Sequence, residues 1–327
     1  MIPESRRSPE NAARSTPRVA ILIPCYNEEL TIGGVVRDFR KQLPDASIYV
    51  FDNNSHDRTV EEATAAGARV FRERRQGKGY VVQTMFRVVD ADVYVMVDGD
   101  ATYPAAAVHA LIAPVVAGEA DMVIGSRLHA DSRSEFHLLN RLGNRMYRRL
   151  TNTMFGQKIT DLLSGYRAFS RRLVRGIPLF GGGFETETEL TIKSLQRGYA
   201  VVEVPVDLVS RPEGSSSKIR IVRDGLLILN MILTLVRDYK PLTFFGAAGL
   251  TLLLSGIAVA VSGLLFPDWL SPAGRWSGAL LLGFGGVVSI SVGLILHTIT
   301  RHFQELDSQL QMLASEWRRR GDGESEG

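Results

Sequence analysis

Two carboxylates flank a single glycine at Asp98-Gly99-Asp100, directly after the apolar run Val93-Tyr94-Val95-Met96-Val97. Leaving two anions unpaired beside a buried strand would be costly. A divalent cation removes that cost, and Mg²⁺ or Mn²⁺ commonly bridges carboxylates to substrate phosphates through oxygen ligands. An Asp-X-Asp triplet alone is a weak signal. It gains weight from Pro24-Cys25-Tyr26-Asn27-Glu28-Glu29, Asp52-Asn53-Asn54-Ser55 and Gly125-Ser126-Arg127, each of which closes another apolar run. Helix capping by Asx and Ser residues accounts for one or two such endings, but poorly for four. Gln76-Gly77-Lys78-Gly79 is not an ATP-type phosphate loop, which needs Gly, four residues, then Gly-Lys-Ser/Thr. The six histidines show no metal spacing. Cys25, the single cysteine, excludes an intrachain disulfide and a Cys-based zinc cluster, and reads as a small filler rather than a nucleophile.

The elements that must hold these residues follow from periodicity. Near-continuous apolar runs at Val19–Pro24, Ser47–Asp52, Ala68–Phe71, Asp92–Asp98 and Asp121–Gly125 predict strands buried on both faces. Helices are expected at about 29–42, 57–66, 78–90 and 104–117 between them. This alternation predicts an α/β fold, a mostly parallel sheet with helices on both faces, whose ligand sits at the carboxyl ends of the strands. No charge occurs from Leu242 to Phe266 or from Trp276 to Leu296. As helices these runs reach roughly 37 and 31 Å, enough to cross a hydrocarbon core of about 30 Å. In residues 219–239 the charged and polar side chains gather on one arc, as in an amphipathic helix lying in a membrane interface, or one buried against the soluble domain. Arg237, Lys240, Arg301 and His302 flank the two runs, so the positive-inside bias predicts a multi-pass protein of the cell (inner) membrane with its catalytic domain and C-terminus cytoplasmic. Phe303, Leu306, Leu310, Leu313 and Trp317 follow a 3-4-3-4 spacing that suits pairing with other copies, a possible homo-oligomer, or packing on the chain's own domain.

Of 327 residues, 45% are hydrophobic and 22% charged, which excludes a disordered or fibrous chain. A net charge of +3 is too mild to argue for nucleic acid, and none is expected as a partner. The expected organisation is a flexible N-terminus at 1–17 without a signal peptide, a catalytic domain at 18–218 and an amphipathic helix at 219–240. Two transmembrane helices at 241–300 (about 242–266 and 276–299) and a cytoplasmic C-terminal helix and tail at 301–327 complete it.

The chain resembles family-2 glycosyltransferases of the GT-A fold, a Rossmann-like nucleotide-sugar-binding sheet. More narrowly it is similar to polyprenol-phosphate glycosyltransferases of the dolichol-phosphate mannose synthase type with a C-terminal membrane anchor. Besides the motifs above, Asp161-Leu162-Leu163-Ser164-Gly165-Tyr166-Arg167 and Arg211-Pro212-Glu213-Gly214-Ser215-Ser216-Ser217-Lys218 carry the likeness, which runs from about 18 to 240. The resemblance implies that Pro24, Tyr26 and Glu28 line the nucleotide pocket, that Asp52 meets the base or ribose, and that Lys78 lies near the nucleotide. Asp98, Gly99 and Asp100 would hold the nucleotide and Mg²⁺ or Mn²⁺ on the diphosphate. Arg211, Ser217 and Lys218 would close over that diphosphate. Related chains often carry Gln where Thr102 stands, which leaves the third metal ligand open.

The same resemblance gives Arg127 to the phosphate of a polyprenol acceptor, with Arg141 or Arg145 as a second acceptor residue. Asp161 is expected closest to the reaction, near acceptor or sugar. Glu185 or Glu187 would either reach the sugar or favour a helix N-terminus. Arg145, Arg148 and Arg149, and Arg171, Arg172 and Arg175, would either meet anionic lipid or form solvated helix faces. The implied activity is inverting transfer of one sugar from a UDP-sugar, ahead of a GDP-sugar, to polyprenol phosphate at a membrane. The alternatives are a processive polysaccharide synthase, for which the Gln-X-X-Arg-Trp motif is missing, and a catalytically inactive scaffold or regulatory subunit, against which the intact Asp98/Asp100 pair argues.

Overall fold

The computed structural model describes residues 16–127, 159–180, 183, 186–209, 226, 229–230, 233–234, 236–238, 240–266 and 271–324. Arg141, Arg145, Arg148, Arg149, Glu185, Arg211, Ser217 and Lys218 lie outside these residues, as does the expected flexible N-terminus up to residue 15. The chain forms two compact units, Met1–Ile232 and Leu233–Gly327.

The first unit is a seven-stranded sheet. Its strands are β1 (Val19–Cys25), β2 (Ser47–Asp52), β3 (Arg69–Arg72), β4 (Val93–Met96), β5 (Met122–Ser126), β6 (Arg167–Ser170) and β7 (Val201–Pro205). They lie in the order β3-β2-β1-β4-β6-β5-β7. All pairings are parallel except those of β6, which runs antiparallel to both β4 and β5. The helices are α1 (Ile32–Gln42), α2 (Thr59–Ala65), α3 (Lys78–Val88), α4 (Val108–Val116, entered through a 3₁₀ turn), α5 (Arg171–Gly176) and α6 (Thr186–Gln196).

Side chains alternate across a strand, so one run feeds two cores. Ile21, Ile23 and Cys25 of β1 join Ile32, Val35, Val36 and Phe39 of α1 and Val108 and Leu111 of α4 in one cluster. The α1 residues recur at the three- and four-residue spacing of a single helix face. Tyr94 and Phe169 face the other way, where Phe86 of α3 meets them edge-on at 6.5 and 5.4 Å. Each fully buried side chain of this size contributes about 1.5–3 kcal/mol by leaving water. Two cores therefore clamp the central strands and fix where their carboxyl ends emerge.

The second unit contains α7 (Pro241–Leu265) and α8 (Pro272–Glu324). Both hold windows long and apolar enough to cross a membrane, at mean hydropathies of 2.1 and 2.3. Glycines let the two backbones meet. A Cβ on Gly286 would stand 2.7 Å from Leu253 Cγ and 2.8 Å from the Gly249 carbonyl, and one on Gly249 would stand 2.6 Å from Ile290. Ser289 Oγ donates to the Phe245 carbonyl at 2.8 Å. Close backbone approach and a cross-helix hydrogen bond are what associate helices where no hydrophobic drive exists. The described positions between 226 and 238 are helical. The second helix does not stop near 299: α8 continues unbroken to Glu324, because no Pro interrupts it after Pro272.

Candidate active site

The carboxyl ends of β1, β2, β4 and β5 form one rim, and their polar residues hold loops to one another. The α1 and α2 N-caps, Thr31 and Arg58, make no side-chain capping bond. Instead Asn27 N–H donates to Ser55 Oγ, Glu28 N–H to Thr59 Oγ1, and His56 N–H to Asn27 Oδ1, at 2.9, 2.7 and 2.8 Å. Asn53 locks the next loop: its Nδ2 donates to the Glu73 and Arg75 carbonyls, and its Oδ1 accepts from Gly77 N–H. Pro24 and Tyr26 are half-buried on this rim. Asp52 is fully buried, accepting from Ser55 N–H at 3.1 Å and Arg72 Nε at 3.4 Å. Its carboxylate thus organises the loop from within.

At the β4 end, Gly99 is required. A Cβ there would lie 2.7 Å from Cys25 Sγ, so the buried thiol fills the space under the turn. The Gly99 carbonyl accepts from Thr31 Oγ1 at 2.7 Å. Asp100 Oδ1 accepts from both the Thr102 hydroxyl, 2.6 Å, and the Thr102 N–H, 3.1 Å. Thr102 therefore orients Asp100 and spends its hydroxyl proton doing so.

Asp98 has a partner that its sequence neighbours do not reveal. Lys78 Nζ, the first residue of α3, lies 2.5 Å from Asp98 Oδ1 and 2.5 Å from Glu187 Oε1 in the first turn of α6. Burial alone would drive the Lys78 proton off, but Asp98 and Glu187 outweigh it and hold the ammonium above the ordinary lysine range. Glu187, in the first turn of α6, anchors Lys78.

At the β5 end, Arg127 is gripped by Asp161. Its Nε and Nη2 donate to Asp161 Oδ2 and Oδ1 at 2.7 and 2.8 Å, and its N–H adds a third bond of 3.1 Å. Burial would raise the Asp161 carboxyl, yet Arg127 pulls it below the ordinary carboxylate range. Asp161 is fully buried. Its two oxygens are both paired with the Arg127 guanidinium.

The turn between Asp161 and β6 is fixed by Arg167, Gly165 and Tyr103, the first two within the Asp161–Arg167 motif. Arg167 is fully buried and donates to the Leu162 and Ser164 carbonyls and to Thr191 Oγ1, at 2.7, 2.8 and 2.7 Å. Lacking a carboxylate within bonding range among the described residues, its guanidinium is pushed down by burial. Tyr103 Oη accepts from Gly165 N–H at 3.1 Å. A Cβ on Gly165 would collide with the Asp98 carboxylate. The missing side chain is what lets the Asp98 carboxylate pack against this turn.

The two carboxylates of the Asp98-Gly99-Asp100 turn bear on metal binding. Among the described residues, no three His, Cys, Asp or Glu side chains converge on one point. The donor set is two carboxylates flanking Gly99 on a tight turn. It fits Mg²⁺ or Mn²⁺ completed by substrate phosphates and water, with Asp98 and Asp100 as the residues that would hold it.

Arg171, Arg172 and Arg175 meet carboxylates of the chain itself. Arg171 and Arg175 pair with Asp90 at 2.7 and 3.0 Å, and Arg172 approaches Asp121 at 3.8 Å and covers the Tyr199 ring. They sit at the amino ends of β4 and β5, opposite the rim, where carboxylates already neutralise them.

Comparison with known proteins matches this arrangement. Residues 20–177 match Glycosyl transferase family 2. Glycosyltransferase AglJ of Haloferax volcanii is 36% identical over 245 residues, covering 74% of this chain and 80% of that protein. A dolichyl-phosphate hexose transferase of the same organism is 32% identical over 188 residues, 58% of this chain and 81% of that protein. Among solved structures, glucosyl-3-phosphoglycerate synthase of Mycobacterium tuberculosis, in complex with Mn²⁺, UDP and glucosyl-3-phosphoglycerate, superposes with a TM-score of 0.55 at 25% identity. It covers 69% of this chain and 81% of that one. With its GT-A-like sheet and its carboxylate-bearing rim, the chain belongs to glycosyltransferase family 2.

Proposed function

We propose that the protein transfers one sugar, with inversion, from a nucleotide sugar to a polyprenol phosphate at a membrane in which α7 and α8 anchor it. A UDP-sugar is favoured over a GDP-sugar. The observation that carries this reading is the pairing of two oppositely charged stations on one rim: the Asp98/Asp100 turn for the donor, and Arg127, held by Asp161, for the phosphate of the acceptor. The dolichyl-phosphate hexose transferase relative and the two apolar helices support a lipid acceptor. The UDP and Mn²⁺ in the solved neighbour support the donor side.

A phosphate monoester is already largely ionised near neutral pH, so it needs positioning more than activation. Arg127 offers a fixed cation to it. Asp98 and Asp100 would hold a divalent cation, which supplies charge stabilisation to the departing nucleoside diphosphate. Lys78, committed to Asp98 and Glu187, keeps the first carboxylate in place. Arg211, Ser217 and Lys218 would close over the diphosphate, and Arg141 would join Arg127 on the acceptor.

The test uses purified full-length protein in detergent with Mg²⁺ or Mn²⁺, a panel of UDP- and GDP-sugars, and release of nucleoside diphosphate as readout. Release that undecaprenyl phosphate stimulates and EDTA abolishes is the expected result. Asp100→Ala should lower it by at least about a hundredfold, the scale of losing a key electrostatic contact. No lipid-stimulated release from any donor overturns the assignment.

A further inference from the structure

We infer that Glu203, on β7, is the positioning residue that sets Arg127 for the acceptor phosphate. The inference rests on the proposed role of Arg127 and reaches the strand next to the one it follows.

The geometry is a closed set of hydrogen bonds. Glu203 Oε1 accepts from Thr160 N–H at 3.0 Å and from Asp161 N–H at 2.9 Å. Its Oε2 accepts from the same Thr160 N–H at 3.0 Å and from Thr160 Oγ1 at 2.8 Å. One carboxylate thereby satisfies two consecutive backbone donors and a hydroxyl at the start of the turn that carries Asp161. Because the Thr160 hydroxyl donates to Glu203, it accepts from its other neighbour, Ser126 Oγ, at 2.9 Å. Ser126 is fully buried and immediately precedes Arg127.

Glu203 therefore reaches Arg127 by two routes. One runs through the Asp161 backbone to the bidentate Asp161–Arg127 pair, and the other through Thr160 and Ser126 to the Arg127 main chain. Both start from a strand whose register against β5 is fixed, with Ile124 opposite Glu203 and Ser126 opposite Pro205. Among the described residues, the Arg127 guanidinium spends Nε and Nη2 on Asp161, which directs its Nη1 edge to another partner. A phosphate meeting that edge finds a cation whose angle was set before it arrived, which is the form of preorganisation that favours binding. Among the described residues, none of these hydrogen bonds ends on Asp98 or Asp100, so the effect is expected on the acceptor side.

Glu203→Gln is the variant of choice because it keeps the shape. Thr160 N–H lies within bonding distance of both carboxylate oxygens, so either orientation of the amide sets an N–H against it. Thr160→Val is a second cut, removing the hydroxyl's bonds to Ser126 and to Glu203 Oε2 while leaving the backbone donors in place. Two measurements on the full chain decide the matter. First, phenylglyoxal modification followed by mass spectrometry reads Arg127 directly, with Arg72 as the internal standard. We expect Arg127 to react several-fold faster in Glu203→Gln, approaching its rate in Asp161→Asn, and an intermediate rate in Thr160→Val. An unchanged Arg127 rate in Glu203→Gln overturns the inference whatever the acceptor is. Second, steady-state kinetics should show the KM for undecaprenyl phosphate raised about tenfold, the scale of a lost hydrogen bond to a charged group, with the donor KM within about twofold. In an Arg127→Ala background, Glu203→Gln should add no further loss. Full additivity there, or a donor KM that rises in step, would make Glu203 a general structural residue and sink the idea. If the unmodified protein shows no lipid-stimulated turnover, the proposed function falls, and the modification rates still decide the role of Glu203.

Discussion

At the scale of single residues, what distinguishes this rim is that its charges are paired with each other before any ligand is considered. Glu73 shows the same economy one loop away. Arg75 binds its carboxylate from backbone and side chain, and Thr84 of α3 donates a further bond of 2.5 Å. Chiefly through Arg75, its carboxyl drops from 4.5 to about 2. A carboxyl lowered on folding stabilises fully above its unfolded value and loses that contribution as pH falls through its folded one. Thermal unfolding in detergent between about pH 4.5 and about pH 2 should therefore show the native chain losing more stability than Glu73→Gln. Parallel curves would show that the pairing contributes nothing. Asp98, Asp100 and Arg127 were legible in the sequence because each closes an apolar run. Glu203 was not, and neither were the partners of Glu187 and Arg167, since a partner's identity depends on which strands lie side by side. Thr160 and Glu203 are 43 residues apart and meet only through the pairing of β5 with β7.

At the scale of elements, apolar runs gave the five strands β1 to β5 and the helices among them to within a few residues. β6 escaped notice because it is short and begins with a buried arginine, a residue type that ordinarily signals solvent. The mostly parallel expectation held apart from this one reversed strand. In the second unit, the glycine contacts of α7 and α8 give a sharp expectation. Gly286→Leu forces a side chain into Leu253 and the Gly249 carbonyl, and overpacking of this kind costs about 1–3 kcal/mol. Its melting temperature in detergent should fall while affinity for UDP stays within about twofold. Unchanged melting would mean that the helix pair is looser than its backbone contacts imply.

At the scale of the whole molecule, the proposed arrangement places the first unit and the end of α8 on the cytoplasmic side and the 267–271 connection outside. Cys25 is buried, so an introduced cysteine can be read against a quiet background. Ser271→Cys should react with a membrane-impermeant maleimide in intact cells, whereas Arg301→Cys should react only after permeabilisation. The reverse pattern would invert the topology. Charge-free runs made both apolar helices legible. The unbroken length of α8 was not, because a change from apolar to charged residues marks a change of surroundings and not the end of a helix.

The reversed strand β6 has a metrical consequence. Adjacent strands lie about 4.8 Å apart, so a single intervening strand sets the ends of β4 and β5 about 10 Å from each other. Arg167 stands opposite Met96 on one side and Ile124 on the other. On the proposed reading, β6 is a gauge block: the gap between outgoing and incoming phosphates is ruled by main-chain hydrogen bonds. Substitutions on the loops can retune how tightly either partner is held, but none can widen or narrow that gap without re-registering three strands at once.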